Sequence, residues 1–289
     1  MSGYRIEELA RGVYARIGSR PLDPNSGIIV GEEGVILIDS SFSPTAAREI
    51  AADIRRLTAK PVTTVVITHH HWDHSWGNQV FASARIIGHA GARASMTADP
   101  AGQLRFVREF APTAAPWYEL TPETFLAQIA EVTITPPDTT YSHEVRLWPD
   151  GREVRLMHPG PAHTYGDTLI YLPAERLLFA GDVVCNAVIP VLADGDPFHF
   201  SRVLDELAAM DVTTIVPGHG PLSTPADLRR FHACLHELCD AVAAARAAGA
   251  PDPRAAFEVV SRRDFGGWHG REMLPGSVRR VYRALDGRR

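Results

Sequence analysis

An apolar run, Val62–Ile67, ends in Thr68-His69-His70-His71-Trp72-Asp73-His74. Four histidines and one aspartate thus fall within six positions, directly behind a segment that reads as a buried strand. Such a cluster is costly as packing, because each polar group taken from water needs a partner. It is natural as a metal site, since neutral imidazoles and carboxylates suit zinc and related transition metals. In an extended or gently turning loop, alternate residues face one side. His69 and His71 then converge on one ion, while Asp73 and His74 reach a neighbouring position. His70 and Trp72 point away.

Further ligands must come from elsewhere in the chain. Three ligand-type residues sit in tight loops at strand ends. His163 lies in Pro159-Gly160-Pro161-Ala162-His163-Thr164, after a strand ending near His158. Asp182 follows the apolar run Leu177–Ala180 and Gly181. His219 lies in Pro217-Gly218-His219-Gly220, after Thr213–Val216. Glycines there let the backbone turn sharply, and loops on a rigid scaffold commonly carry catalytic groups.

The surrounding pattern is mixed. Short strands are predicted at Arg11–Ile17, Gly27–Val30 and Val35–Asp39. A helix follows over Thr45–Leu57, with Ser43 as N-cap and Pro44 in its first turn. Arg85–Ile87 reads as another strand. Residues 92–140 are proline-broken, helical and aromatic, and read as an insertion or a lid. Strands resume at Glu131–Thr135, Ser142–Leu147, Val154–His158, Thr168–Leu172 and Arg176–Ala180. A helix over Phe198–Met210 precedes the strand Thr213–Val216. The tail from Ala226 is mostly helical, with Gly266-Gly267 interrupting it before a last helix, Pro275–Leu285. The expected organisation is one catalytic domain over 1–225, with its insertion at about 92–140, and a helical extension over 226–289 packed on it.

The His-x-His-x-Asp-His pattern of His69, His71, Asp73 and His74, followed in order by His163, Asp182 and His219, resembles the metallo-β-lactamase superfamily. The resemblance covers roughly Arg11–Pro221. It implies an α+β fold, a four-layer αβ/βα sandwich with metals at one edge. By the same resemblance, His69, His71 and His163 bind one metal, and Asp73, His74 and His219 a second. Asp182 bridges them together with a hydroxide. Two zinc ions per chain are expected, with iron or manganese as alternatives. Paired cations lower the pKa of a shared water and polarise a scissile bond. The resemblance therefore implies a metal-dependent hydrolase, in which Asp73 orients the nucleophile or shuttles a proton.

The expected substrate is a small molecule with a carbonyl centre: a lactone, ester, thioester or amide. The family's lactamases mostly carry cysteine where this chain has Asp182, which makes a dedicated β-lactam role less favoured. Phosphodiester hydrolysis is the runner-up, although the motif loops offer few cations, with Arg93 and Arg105 the nearest in sequence. A mononuclear iron-dependent dioxygenase and a non-catalytic, metal-stabilised binding protein complete the alternatives. Tyr165 is the expected oxyanion contact. Asp167 is a candidate to orient a ligand histidine. His89, Asn186, His199 and Trp72 are candidate substrate contacts, and Cys185 reads as a buried thiol.

Composition narrows the partners. Of 289 residues, 45% are hydrophobic, enough for a sizeable core, and the formal charge is -5. Mild acidity argues against a nucleic-acid binder. Three widely spaced cysteines give no disulfide framework. No run is long and apolar enough for a membrane span, and no secretory leader is read at the start. A cytoplasmic protein is expected, with a homodimer as the family-based expectation.

Overall fold

Alternation along single strands decides the layering. In the strand Val35–Ile38, Val35 and Leu37 join a cluster with helix residues Ala47, Ile50 and Ile54. Ile36 and Ile38 face the opposite way, into a core shared with a second sheet. Successive side chains of a strand point to opposite faces, so a strand apolar at every position is covered on both.

The computed structural model describes residues 3–287. Its elements in chain order are β1 (Tyr4–Ala10), β2 (Val13–Gly18), β3 (Ser26–Val30), β4 (Val35–Ile38), α1 (Pro44–Leu57), β5 (Val62–Val66) and α2 (Trp72–Ser75). Then come β6 (Arg85–His89), α3 (Ala90–Ala98), α4 (Pro100–Ala114), α5 (Pro122–Ala130), β7 (Thr139–Tyr141), β8 (Glu144–Leu147) and β9 (Val154–Met157). The remainder is β10 (Leu169–Leu172), β11 (Leu177–Gly181), α6 (Pro197–Ala209), β12 (Thr214–Pro217), α7 (Pro225–Ala247), α8 (Pro253–Val260) and α9 (Leu274–Leu285).

Strands β1 to β7 form one sheet in sequential order, and β12-β11-β10-β9-β8 form the other. The first sheet is antiparallel up to β4 and parallel from β4 to β7. Their inner faces meet through residues such as Ile38, Val66, Ile170 and Phe179. Helices α1 and α3 cover the outside of the first sheet. Helices α6, α7, α8 and α9 cover the outside of the second, in a single apolar cluster that also holds Leu178 and Ile215. The result is an αβ/βα sandwich, as expected. The insertion packs separately, with Phe42 and Trp76 against Val107, Tyr118 and Phe125.

Three local expectations differ. Tyr4–Ala10 is an edge strand, paired with β2 across a turn at Gly12; its glutamates hide the alternation. Residues 131–135 are not a strand. Their backbone is held instead by side chains: Asn78 donates to the Thr135 carbonyl, and Thr133 N–H donates to Gln79. The insertion's last residues, Thr139–Tyr141, form β7, which pairs parallel with β6. The helix after Ser43 starts as expected, with the Ser43 hydroxyl accepting from Ala46 N–H at 3.1 Å.

Candidate metal centre

Every expected ligand hangs from one edge of the sandwich. Parallel strands β4 and β5 end there, and so do β11 and β12. The turn leading into β10 arrives at the same edge, tied to the histidine loop by Thr168 N–H donating to the Thr68 carbonyl at 2.7 Å. Close approach there demands glycine. A Cβ on Gly218 would lie 1.8 Å from Asp182 Oδ1. Gly181, with φ +51, passes under Thr68, which would lie 2.6 Å from an added Cβ.

Three groups of donor atoms converge. His69, His71 and His163 form one, Asp73, His74 and His219 another, and His69, His74 and Asp182 a third, with atoms within 4.8 Å of one another in each. Asp182 sits between the first two: its carboxylate lies 3.5 Å from His163 Nε2, 3.3 Å from His74 Nε2 and 3.5 Å from His219 Nε2. Asp73 lies 3.3 Å from His219 Nε2.

Each ring is fixed from behind. His163 Nδ1 meets the Val191 carbonyl at 2.9 Å, and His219 Nδ1 meets that of Asp23 at 3.2 Å. His74 Nδ1 meets Asp39 Oδ2 at 2.9 Å. His71 presents Nε2 to Asp194 at 2.8 Å. His69 Nδ1 lies 3.0 Å from the Thr68 hydroxyl, which donates onward to Asp39 at 2.7 Å and so accepts from the ring. These outward acceptors fix each ring's rotation and, in a neutral ring, take its N–H and leave the inward nitrogen as a lone pair. Against the effect of burial, Asp182 and Asp73 raise His74 well above its usual range and His219 to about 10, a protonation that a metal cation would replace.

The lone pairs are crowded. His71 Nδ1 and His163 Nε2 are 2.9 Å apart, and His74 Nε2 and His219 Nε2 are 3.3 Å apart. His69 Nε2 and Asp182 Oδ1 are buried and make no hydrogen bond. Acceptors facing acceptors in a buried space repel unless a cation lies among them. The donor set, neutral nitrogens with two carboxylates, fits zinc, iron or manganese. Burial, followed by the neighbouring rings, pushes His69 well below the usual imidazole range. Burial also draws His163 down to about 4, against the pull of Asp182. Both rings are thereby held in the unprotonated form that a metal requires.

Asp39 carries strain for this arrangement. Its φ is +60, uncommon for a residue with a side chain. In that conformation its carboxylate accepts from Thr68 N–H, Thr68 Oγ1 and His74 Nδ1. Asp39 and Asp194 were not singled out from sequence. Asp39 carried a usable signal, a carboxylate at the end of an apolar strand and followed by serines.

Other expectations fare differently. Tyr165 is half-exposed at the cleft, and its hydroxyl accepts from Arg280 at 2.9 Å. Trp72 wedges against Phe42, Tyr118 and Phe125, and its edge also lines the cleft. His70 does not turn away: it lines the cleft beside His71. Asp167 orients no ligand histidine, because both its oxygens are taken by Thr164. His89 stacks on His158 at 3.7 Å, His199 bonds the Pro161 carbonyl, and Asn186 leans on the carbonyls of Pro221 and Leu222. None of these three lines the cleft. Cys185 is buried within it, its thiol pushed well up by burial. Arg93 bonds the Pro137 carbonyl and Arg105 is solvent-exposed. The guanidiniums that line the cleft are Arg279, Arg280 and Arg283, all on α9.

Comparison with known proteins agrees with this architecture. The chain is 28% identical over 197 residues to the 2,4-dinitroanisole O-demethylase subunit alpha of Nocardioides sp. (strain JS1661), covering 66% of this chain and 51% of that one. It is 24% identical over 215 residues to the linear primary-alkylsulfatase of Pseudomonas sp. (strain ATCC 19151), covering 67% and 40% respectively. The chain therefore spans about half the length of these curated relatives, or less. Among solved structures, a double mutant of the sec-alkyl sulfatase PisA1 superposes with a TM-score of 0.72 at 16% identity, over 98% of this chain and 50% of that one. A metallo-beta-lactamase from Pontibacter korlensis gives 0.64 at 17% identity, over 81% and 99%. The metallo-beta-lactamase superfamily model matches residues 19–219, a span that runs from the end of β2 to His219 and takes in all seven converging side chains, and the chain belongs to that superfamily.

Proposed function

We propose that this chain is a dinuclear metal-dependent hydrolase acting on a small carbonyl substrate: a lactone, ester, thioester or amide. The supporting observation is the convergence of five imidazoles and two carboxylates in one buried cluster, with each ring held from behind by an acceptor. His69, His71 and His163 would hold one ion and Asp73, His74 and His219 the other, with Asp182 between. When bound, the ions supply a nucleophilic hydroxide near neutral pH and polarise the bond to be cut.

The chain's own residues supply the rest. Asp73, 3.3 Å from His219, is placed to take a proton and pass it to the leaving group. Arg280 donates to the Tyr165 hydroxyl, leaving the phenol proton free to donate to a developing oxyanion. Trp72, Phe106, Val107 and Trp117 give the cleft an apolar lining for the body of a substrate. Zinc is the proposed native metal, with iron and manganese suited to the same donors. The cytoplasm is the proposed location and a homodimer the proposed assembly.

Phosphodiester hydrolysis is a second reading, favoured by the guanidiniums of α9 in the cleft. Elemental analysis on protein purified without added metal, with a panel of lactone, thioester, β-lactam and phosphodiester on the same sample, tests both. Two zincs and carbonyl turnover support the main reading. One iron with no hydrolysis overturns it and returns weight to oxygen chemistry. The alkylsulfatase relative's name adds a sulfate ester to the panel.

A further inference from the structure

The cleft that holds the candidate metal ligands is large, about 1020 Å³, and its far lining is unlike the ligand loops. Part of the lining is apolar: Leu22, Trp72, Phe106, Val107, Trp117 and Met273. Phe106 is 54% exposed, an aromatic ring turned to solvent at the rim of the cleft. Another part is cationic, with Arg279, Arg280 and Arg283 from α9.

The three arginines are not equivalent. Arg280 is pinned, donating to the Gly195 carbonyl at 2.6 Å and to the Tyr165 hydroxyl at 2.9 Å. Arg279 and Arg283 are exposed, and neither side chain has a hydrogen-bond or ion-pair partner among the described residues. They stand one turn apart on one helix face, where like charges repel. The acidic groups of the same cleft do not neutralise them. Asp99 caps α4 through Gly102 N–H, and Asp194 is engaged with His71. Two uncompensated guanidiniums beside an apolar wall make a bipartite surface. A planar fork of N–H donors matches the oxygens of a carboxylate, sulfate or phosphate.

We propose that the substrate is an amphiphilic anion, its apolar body on the Trp72, Phe106 and Trp117 wall and its oxyanion group on Arg279 and Arg283. This rests on the hydrolase reading and narrows its substrate class. The discriminating cations lie on α9, beyond the 19–219 family match, so the tail after β12 would set specificity while the loops do chemistry.

The test is equilibrium binding, measured by calorimetry on the protein as purified, and needs no turnover. The probes are decanoate, decyl sulfate and decan-1-ol. Both anions are expected to bind, and the double variant Arg279→Gln, Arg283→Gln is expected to weaken both by about tenfold. Decan-1-ol binding is expected to stay unchanged, which also reports an intact pocket. Arg229→Gln, an exposed arginine on α7, is the control and is expected to change nothing. Anion binding that survives the double substitution overturns the proposal, because the head group then sits elsewhere, on the metals included. Equal loss of decan-1-ol overturns it as well, since the arginines would then act through packing. Hydrolysis of the panel is read separately, so failure of the hydrolase reading remains distinguishable.

Discussion

Asp194 takes the outer nitrogen of His71 at 2.8 Å, while the inner nitrogen of the same ring lies 2.9 Å from His163. The carboxylate thereby sets the tautomer and the rotation of a ring that faces the candidate ions. The His71 hydrogen bond, opposed by partial burial, holds the Asp194 carboxyl well below its usual range, so it stays an anion at any working pH.

Removing that anchor is expected to weaken metal binding without unfolding the chain. Asp194→Ala should lower zinc affinity by about 10- to 100-fold, the usual range for losing a partner behind a ligand histidine. Asp194→Asn keeps an acceptor and should recover most of the loss. Competition with a chromophoric chelator gives the affinity. Unchanged affinity in Asp194→Ala would show that His71 needs no support from behind.

Asp39 is the more demanding position. It is buried and accepts three hydrogen bonds, from Thr68 N–H, Thr68 Oγ1 and His74 Nδ1. Asp39→Ala leaves three buried donors unmatched and loosens His69 through Thr68. The expected cost is about 3 kcal/mol of folding stability, with loss of metal at the Asp73, His74 and His219 position. Urea unfolding of chelated protein gives the first quantity and elemental analysis the second. A chelated variant as stable as its parent would refute the role given to Asp39.

These two carboxylates mark how far the sequence could be read. His163, Asp182 and His219 were visible because each follows an apolar strand in a tight turn that contains glycine. Asp39 sits in a comparable place, yet it reads as the last residue of its strand, and nothing local says its backbone turns left-handed. Asp194 lies in a loop of small and acidic residues. Only the path from β11 to α6 brings it to His71. Arg279 and Arg283 stand on the polar face of an amphipathic helix, and the cleft they border also takes residues as distant in sequence as Leu22 and His70. The layers were legible from the continuous apolar runs of β4 and β11, which need cover on both faces. β1 was not, since glutamates occupy it, and 131–135 misled because a β-rich segment found side-chain partners before it found a strand.

Asp167, bonded to Thr164 beside His163, supplies a pH dependence of its own. It is fully buried, and burial pushes its carboxyl up to about 7 even though Thr164 donates to both oxygens. The folded state thus binds this proton more tightly than the unfolded chain, whose carboxyl titrates near ~4. Its contribution to stability is complete below that unfolded value and is lost as pH rises through about 7. Asp167→Asn is fixed in the neutral form and keeps an oxygen for Thr164. The melting-temperature difference, parent minus variant, is expected to shrink between about pH 5 and pH 8. A difference that widens over that range contradicts the assignment.

The tightest geometric demand falls on Gly218. A methyl group there would meet Asp182 Oδ1 at 1.8 Å and the Gly181 carbonyl carbon at 2.7 Å, so Gly218→Ala must displace Asp182. The Asp182 carboxylate lies within 3.5 Å of His74, His163 and His219. Displacing it removes the carboxylate that stands between the two triads. Because the methyl also meets the Asp182 backbone nitrogen at 2.8 Å, the chelated variant should melt below its chelated parent while still unfolding cooperatively. It should lose the pairing of the ions, seen as a drop in bound metal per chain and a fall in turnover of about 100-fold. Full metal content with unimpaired turnover would mean that Asp182 need not stand between the triads, and the dinuclear reading would lose its bridge.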